Sequence, residues 1–379
     1  MNQKLFKFCE EIYMFVFGIA LLFLTADFYW LLGKLFSFYG MKFNKWSNCA
    51  IRILLIVVIG IICFYWGFFG IIIIHLMVVS TIIEIVVLLV ERIFRLQQNK
   101  KIGRILRIAC RSGILTVGIV SLVVFIGCMN MVQITKTEYI VLSEKLSTDY
   151  RVVLITDTHY DTIQKPEAIK DMVKEISVLQ PDFVVLGGDI VEENTSKEAM
   201  EEAFRVLSTI KNRFGIYYVY GNHDRQPYTE KRTYTDDELN KAIEASGITI
   251  LKDRHITVNQ ELVLVGRDDA AWGNQSMRAS SENVLKGSKR NLFTIILDHQ
   301  PVDIEENAKL GVDLQLSGHT HAGQIFPIGF LNSLSGTLNY GEYKQGNMKV
   351  IVSSGAAGWG FPIRTQGKCE YVVVNLESQ

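Results

Sequence analysis

The sequence predicts two dissimilar halves: an α-helical membrane domain over residues 1–134, and an α/β domain over 150–379 arranged as a layered β-sandwich flanked by helices. Three observations carry this expectation. The long apolar blocks all precede residue 135. From residue 151 onward, short β-rich runs alternate with polar helical stretches. The strongest of those runs each end in aspartate, asparagine or histidine. The overall hydrophobic share of 49% and the mean hydropathy of +0.21 are high for a soluble chain, and the first half supplies the excess. Lys plus Arg equals Asp plus Glu at 39 each, so there is no global positive field to gather nucleic acid.

The apolar half reads as helices in a bilayer. The first block, 12–32, has Asp27 as its only charge and is long enough for a ~30 Å hydrocarbon layer at ~1.5 Å per residue. The second, 51–90, is about twice as long and is interrupted at Gly67-Phe68-Phe69-Gly70, which suggests two spans joined by a tight turn. The last, 113–132, carries no charge. Four spans are expected, with three spans and one re-entrant segment as the alternative. A cleaved signal peptide competes for the first block. Against it stand the block's length, the spans that follow and the lack of a small-residue cleavage site.

Charge sets the expected orientation. The segment 91–111 holds Arg92, Arg95, Lys100, Lys101, Arg104, Arg107 and Arg111 against Glu91 alone, and 34–52 holds Lys34, Lys42, Lys45 and Arg52 with no acid. Both loops fall on one side of a four-span arrangement, which the positive-inside rule makes cytoplasmic. The expectation is a multi-pass cell-membrane protein with its second half extracytoplasmic. Asp27, His75 and Glu84 invite a functional reading inside the membrane. The plainer reading places Asp27 and Glu84 near helix ends, in reach of the interface. Five of the six cysteines (Cys9, Cys49, Cys63, Cys110, Cys128) lie in this half, so Cys369 has no internal disulfide partner in the second.

In the second half, strands are expected at 151–156, 182–187, 216–220, 292–297, 313–316, 349–353 and 371–375, with short β segments in 248–266. Helices are expected at 166–179, 197–210 and 236–246. Residues 135–149 read as a connector. The strands lead into Asp157-Thr158-His159, Gly188-Asp189, Gly221-Asn222-His223-Asp224, Asp298-His299 and Gly318-His319-Thr320-His321. Loops at the carboxyl ends of strands in α/β sheets face a common crevice, so these motifs can meet in space. Five of the seven histidines lie in them, which favours a ligand cluster over scattered core residues. Mixed carboxylate, imidazole and amide donors suit Mn, Fe or Zn rather than a soft thiolate-bound ion. Two such ions would lower the pKa of water and clamp the oxygens of an in-line displacement.

The motif series D-x-H, GD, GNHD, H-x-P and GHTH, in order over roughly 150–379, resembles the calcineurin-like metallophosphoesterase superfamily. The GHTHAGQIFP stretch and the later Pro362-Ile363-Arg364 are most similar to its membrane-associated bacterial branch, including transmembrane proteins with a metallophosphoesterase domain. Some proteins of that branch act on lipid-linked or nucleotide-sugar pyrophosphates. The resemblance implies two divalent metal ions: Asp157, His159 and His321 on one, Asn222, His299 and His319 on the other, and Asp189 bridging them. It implies catalytic His223 as general acid, oriented by Asp224, and hydrolysis of a phosphoester or pyrophosphate by metal-activated hydroxide. The arginines of the phosphoprotein-phosphatase subtype are missing from Gly188–Glu193 and Tyr220–Asn222. The expected partners are the lipid bilayer and a phosphorylated small-molecule or lipid-linked substrate, with no nucleic acid and no protein partner. Alternatives are a tethered nucleotide phosphohydrolase and a non-catalytic membrane sensor on the same fold. Arg225 and Arg364 read equally as phosphate contacts or structural arginines, and Trp272, Trp359 and Phe361 as an apolar lip or core packing. His255 lies outside every motif.

Overall fold

The structure is a computed structural model that describes residues 25–65, 67–94, 108–110, 112–270 and 278–379. The chain divides into two compact units, Met1–Ile126 and Gly127–Gln379.

In the first unit residues 25–38 are helical, and α1 (Lys45–Tyr65) packs on α2 (Gly67–Phe94). Helix α3 (Ile114–Val132) begins in this unit and ends in the second. Among the described residues two segments are long and apolar enough to cross a membrane, Gly67–Val90 and Ile114–Val132, rather than the expected four. Of the other two, 12–32 falls mostly outside the described residues, and α1 has charge in its first half. It opens with Lys45-Trp46-Ser47-Asn48 and carries Arg52, so its uninterrupted apolar run, 53–65, is too short for a ~30 Å layer. Gly67-Phe68-Phe69-Gly70 is the first turn of α2 rather than a turn between spans. Most of the expected span at 12–32 and of the basic segment 91–111 lies outside the described residues. Asp27, His75 and Glu84 all have partners. Glu84 pairs with Lys34, Asp27 accepts a hydrogen bond from Thr81 Oγ1 at 2.5 Å, and His75 Nδ1 donates to the Ile71 carbonyl at 2.7 Å.

The second unit is two six-stranded mixed sheets packed face to face. Its strands and helices follow in order: β1 (Ile134–Ser143), β2 (Tyr150–Ile155), α4 (Pro166–Leu179), β3 (Phe183–Leu186), α5 (Lys197–Leu207), β4 (Ile216–Tyr218), α6 (Asp236–Ala245), β5 (Thr249–Ile250), β6 (Arg254–Val258) and β7 (Leu262–Gly266). There follow α7 (Ser281–Val284), β8 (Phe293–Leu297), α8 (Ile304–Lys309), β9 (Leu314–Ser317), α9 (Ile328–Leu334), β10 (Gly341–Gln345), β11 (Met348–Val352) and β12 (Cys369–Ser378). One sheet has the order β1-β12-β2-β3-β4-β5 and the other β10-β11-β9-β8-β7-β6.

The segment read as a connector, 135–149, is largely β1. It pairs in parallel with β12 along its whole length, from Ile134 opposite Cys369 to Ser143 opposite Ser378. The period-2 pattern was there to read: Thr137, Tyr139 and Val141 turn inward, while Lys136, Glu138 and Ile140 face out.

Local signals explain the helices that cover the first sheet. Helix α4 has Pro166 in its first turn, where no intrahelical N–H is needed. In α5 the Ser196 side chain caps Ala199 N–H, and in α6 Thr235 and Glu238 form a reciprocal capping box. Their apolar stripes bury Ile169, Ile176, Phe204, Leu207, Leu239 and Ile243 against that sheet. Between the sheets lie Leu154, Phe183, Val185, Leu264, Phe293 and Ile295, all essentially inaccessible. The strands β2-β3-β4-β5 are parallel, as are β7-β8-β9-β11. Each sheet therefore gathers the carboxyl ends of several strands at one edge.

Leu264→Ala tests the inter-sheet core. It should lower the unfolding free energy by about 2–5 kcal/mol, the usual cost of such a truncation in a close-packed interior. The measurement is a reduced urea midpoint at unchanged slope for the detergent-solubilised chain.

Candidate metal centre

Five strand ends deliver the site. The loop after β2 carries Asp157 and His159, that after β3 carries Asp189, and that after β4 carries Asn222, His223 and Asp224. From the second sheet, β8 leads into His299 and β9 into His319 and His321. The side chains form two groups, Asp157/His159/His321 and Asp189/His299/His319, in each of which the potential ligand atoms lie within 4.8 Å of one another. Imidazoles touch within each group: His159 stacks on His321 at 5.4 Å between centroids, and His299 meets His319 edge-on at 5.1 Å. Asp189 Oδ2 is 3.1 Å from His299 Nε2, and Asp157 Oδ1 is 3.4 Å from His321 Nε2.

The backbone is bent to make this possible. Asp157, His159, Asp189, His319 and His321 all have φ between +38° and +70°, the left-handed region that costs a non-glycine residue of order 1 kcal/mol or more. Five such residues among seven predicted ligands mark a place where geometry has been favoured over stability. Two glycines let the strand ends close in. A side chain at Gly221 would run into the Asp189 carboxylate, and one at Gly318 into Asp157 and Thr156.

Hydrogen bonds fix the rings. His299 Nδ1 donates to the Gly187 carbonyl at 2.8 Å and His321 Nδ1 to the Ala357 carbonyl at 3.1 Å, so each presents Nε2 to the cluster. Thr156 Oγ1 donates to Asp157 Oδ2 at 2.8 Å. Burial pushes His159 and His321 down to about 3 and His319 down to about 4, which leaves neutral imidazoles able to ligate. Burial opposes charge on Asp189, but His299 beside it holds the carboxyl well below the ordinary range; burial likewise opposes the His299 imidazolium, and Asp189 raises it.

The donor set fits a divalent cation on an observation independent of motif. Both ring nitrogens of His159, Nε2 of His299 and Oδ1 of Asn222 are buried without a hydrogen-bond partner. Buried polar atoms are normally satisfied, and four such atoms without a partner beside two carboxylates fit the inner wall of a metal centre.

A sequence profile for calcineurin-like phosphoesterases matches residues 150–323, the stretch that holds all seven ligand candidates. The chain carries a calcineurin-like metallophosphoesterase domain. It is similar to an uncharacterized metallophosphoesterase of Helicobacter pylori, at 32% identity over 62% of this chain and 61% of that protein. It is also similar to the transmembrane protein with metallophosphoesterase domain of Bos taurus, at 27% identity over 60% and 53% of the two chains, and to that of Danio rerio, at 28% over 70% and 63%. The matched region spans about three fifths of the Helicobacter protein's length.

Within the metallophosphoesterase domain, His223 and Asp224 part company. The carboxylate paired with His223 is Glu193, whose Oε2 is 2.7 Å from Nδ1. Asp224 is turned away to accept backbone N–H groups from Asp189 (2.9 Å), Ile190 (2.8 Å), Val191 (3.2 Å) and Gly221 (2.6 Å). It shapes the turn that carries Asp189 and does not orient the imidazole. Burial opposes the His223 imidazolium, but Glu193 and Asp189 raise its pKa overall. Tyr228 and Trp359, both well exposed, flank the ring at 5.2 and 5.8 Å.

The two arginines are structural. Arg225 pairs with Asp268 at 2.9 Å and stacks on Tyr220, and buried Arg364 donates to the carbonyls of His321, Ser354 and Ala357. Trp272 lies outside the described residues, Phe361 is half-buried, and His255 donates to the Val284 carbonyl away from the site. Sequence reasoning missed Glu193. Its signal was the Glu192-Glu193 pair directly after the Gly188-Asp189 turn, where two acids beside a ligand loop had no assigned task.

Gly221→Ala is expected to weaken Mn²⁺ retention by roughly 10–100-fold, the range for disturbing the support of a ligand. Metal content after chelation, reloading and desalting checks this, with circular dichroism unchanged.

Proposed function

We propose that this chain is a membrane-anchored phosphoesterase that hydrolyses a phosphodiester or pyrophosphate, with a lipid-linked substrate presented at the bilayer, at a centre of two divalent cations. What supports the reading is the convergence of two buried ligand groups next to one carboxylate, Asp189, with donor atoms that nothing else satisfies. Asp157, His159 and His321 would hold one ion, Asn222, His299 and His319 the other, and Asp189 has two oxygens to share between them. Mn, Fe or Zn suits these donors, and such a pair of ions supplies a water of lowered pKa and stabilises charge on the phosphoryl oxygens.

The protein's own groups do the remaining work. Glu193 holds His223 by Nδ1, which leaves Nε2 to hand a proton to the departing oxygen. Asp224 keeps the Asp189 turn rigid through four backbone amides and so fixes where the shared carboxylate sits. The aromatic faces of Tyr228 and Trp359 narrow the approach beside His223.

Membrane attachment is supported by the spans Gly67–Val90 and Ile114–Val132. The basic segment 91–111 lies between them, so with that loop cytoplasmic the second unit faces outward even with two spans.

Hydrolysis of bis(p-nitrophenyl) phosphate by the full chain with Mn²⁺ should be abolished by EDTA and restored by reloading. His223→Ala should lower kcat by about 10²–10⁴ at unchanged metal content, and Glu193→Gln by less. A background rate in the wild type equal to that of Asp189→Asn overturns the reading. On intact cells, added protease should cleave the second unit, and full protection would reverse the orientation.

A further inference from the structure

Helix α9 is built inside out. In a helix that covers a core, the apolar stripe turns inward. Here the inward position is Gly329, pressed against Gln366 and the Ala322 carbonyl. Ile328, Phe330, Leu331 and Leu334 face out, with Phe330 57% and Leu334 69% exposed, and Phe326 just before them is exposed too. No charged side chain occurs from 322 to 341. Five large apolar groups within nine residues, free of charge, form a patch of the kind a water-facing surface avoids.

Its neighbours in the second unit say what covers it. The last turn of α3 lies against loop 363–367: Arg364 N–H donates to the Gly127 carbonyl at 3.0 Å, and Asn130 Nδ2 donates to the carbonyls of Arg364 and Gly367 at 3.4 Å. A side chain at Gly127 would strike Ile363 and Thr365. The same loop holds the patch, through Phe326 N–H to Thr365 Oγ1 at 3.0 Å and Gly329 N–H to Gln366 Oε1 at 3.2 Å. The same loop begins near Trp359, beside His223. One short stretch of chain therefore touches the end of a membrane-length helix, the apolar patch and the rim of the metal centre.

We infer that Phe326 and α9 form a second membrane contact, lying in the lipid interface next to the exit of α3 and holding the mouth of the site at the bilayer surface. The inference goes beyond the proposed reaction and rests on the membrane reading of Ile114–Val132. Strand β1 gives the internal control. It leaves α3 directly, and Leu142, also exposed, lies eight residues along it from Ile134, about 26 Å at the rise of a strand.

The test is photo-crosslinking of the full chain in phosphatidylcholine–phosphatidylglycerol vesicles, with p-benzoylphenylalanine in place of Phe330, Leu334 or Leu142. Phospholipid adducts at Phe330 and Leu334, at least tenfold above Leu142, are the expected result. A chain that floats with the vesicles but gives no lipid adduct at either position, or adducts only to a second copy, overturns the contact and leaves the anchor standing. Failure to float overturns both. Turnover of the soluble diester reports separately on the reaction.

Discussion

A cluster of buried nitrogen and oxygen donors with nothing to bond is the constraint around which the second unit is organised. Neutral imidazoles at His159, His319 and His321, held beside Asp157 and Asp189, would each carry a desolvation penalty in a closed apolar core. The fold does not relieve that penalty with internal hydrogen bonds. It directs the outer nitrogens of His299 and His321 to backbone carbonyls and leaves the inner atoms facing one another. A divalent cation would satisfy such an arrangement. The left-handed backbone at five of these residues is the mechanical counterpart, since it concentrates donors from two sheets faster than regular strand ends could.

Asp224 shows how a residue can be decisive without meeting the substrate. One carboxylate gathers amides from the Gly221 and Asp189–Val191 turns, fastening the loops after β3 and β4 to each other. Burial and the Asp189 charge push its carboxyl up to about 6, while the Gly221 and Val191 amides pull it back. Removing that carboxylate would free two ligand loops at once. The adjacency of His223 and Asp224 in sequence suggested a dyad. The turn instead places them on opposite sides of the chain, and Glu193, thirty residues earlier, faces the imidazole.

That contrast explains what was legible. Strands β2, β3, β4, β8 and β9 announced themselves as apolar runs ending in ligands, because a buried strand and a metal loop both restrict composition strongly. All seven ligand candidates come from those runs, and six of them meet in the two groups. Strand β1 was less visible, since its outward face mixes Lys136 and Glu138 with Ile140 and Leu142 and an apolar helix precedes it. Of the four expected spans, two are found among the described residues; 12–32 lies mostly outside them, and α1 carries Lys45 and Arg52 in its first half. Pairings between side chains distant in sequence, such as Glu193 with His223 or Arg364 with three carbonyls, have no compositional trace at all.

Arg364 brings the two themes together. Its buried guanidinium donates to the carbonyls of His321, Ser354 and Ala357, and the Ala357 carbonyl in turn accepts from His321 Nδ1. Its own backbone N–H is bound to Gly127 in the last turn of α3. A metal-ligand candidate and the end of a membrane-length helix are thus joined through a single residue, by hydrogen bonds that solvent does not reach. This linkage holds the last turn of α3, which belongs to the second unit, against the loop 363–367, whose Arg364 side chain supports His321.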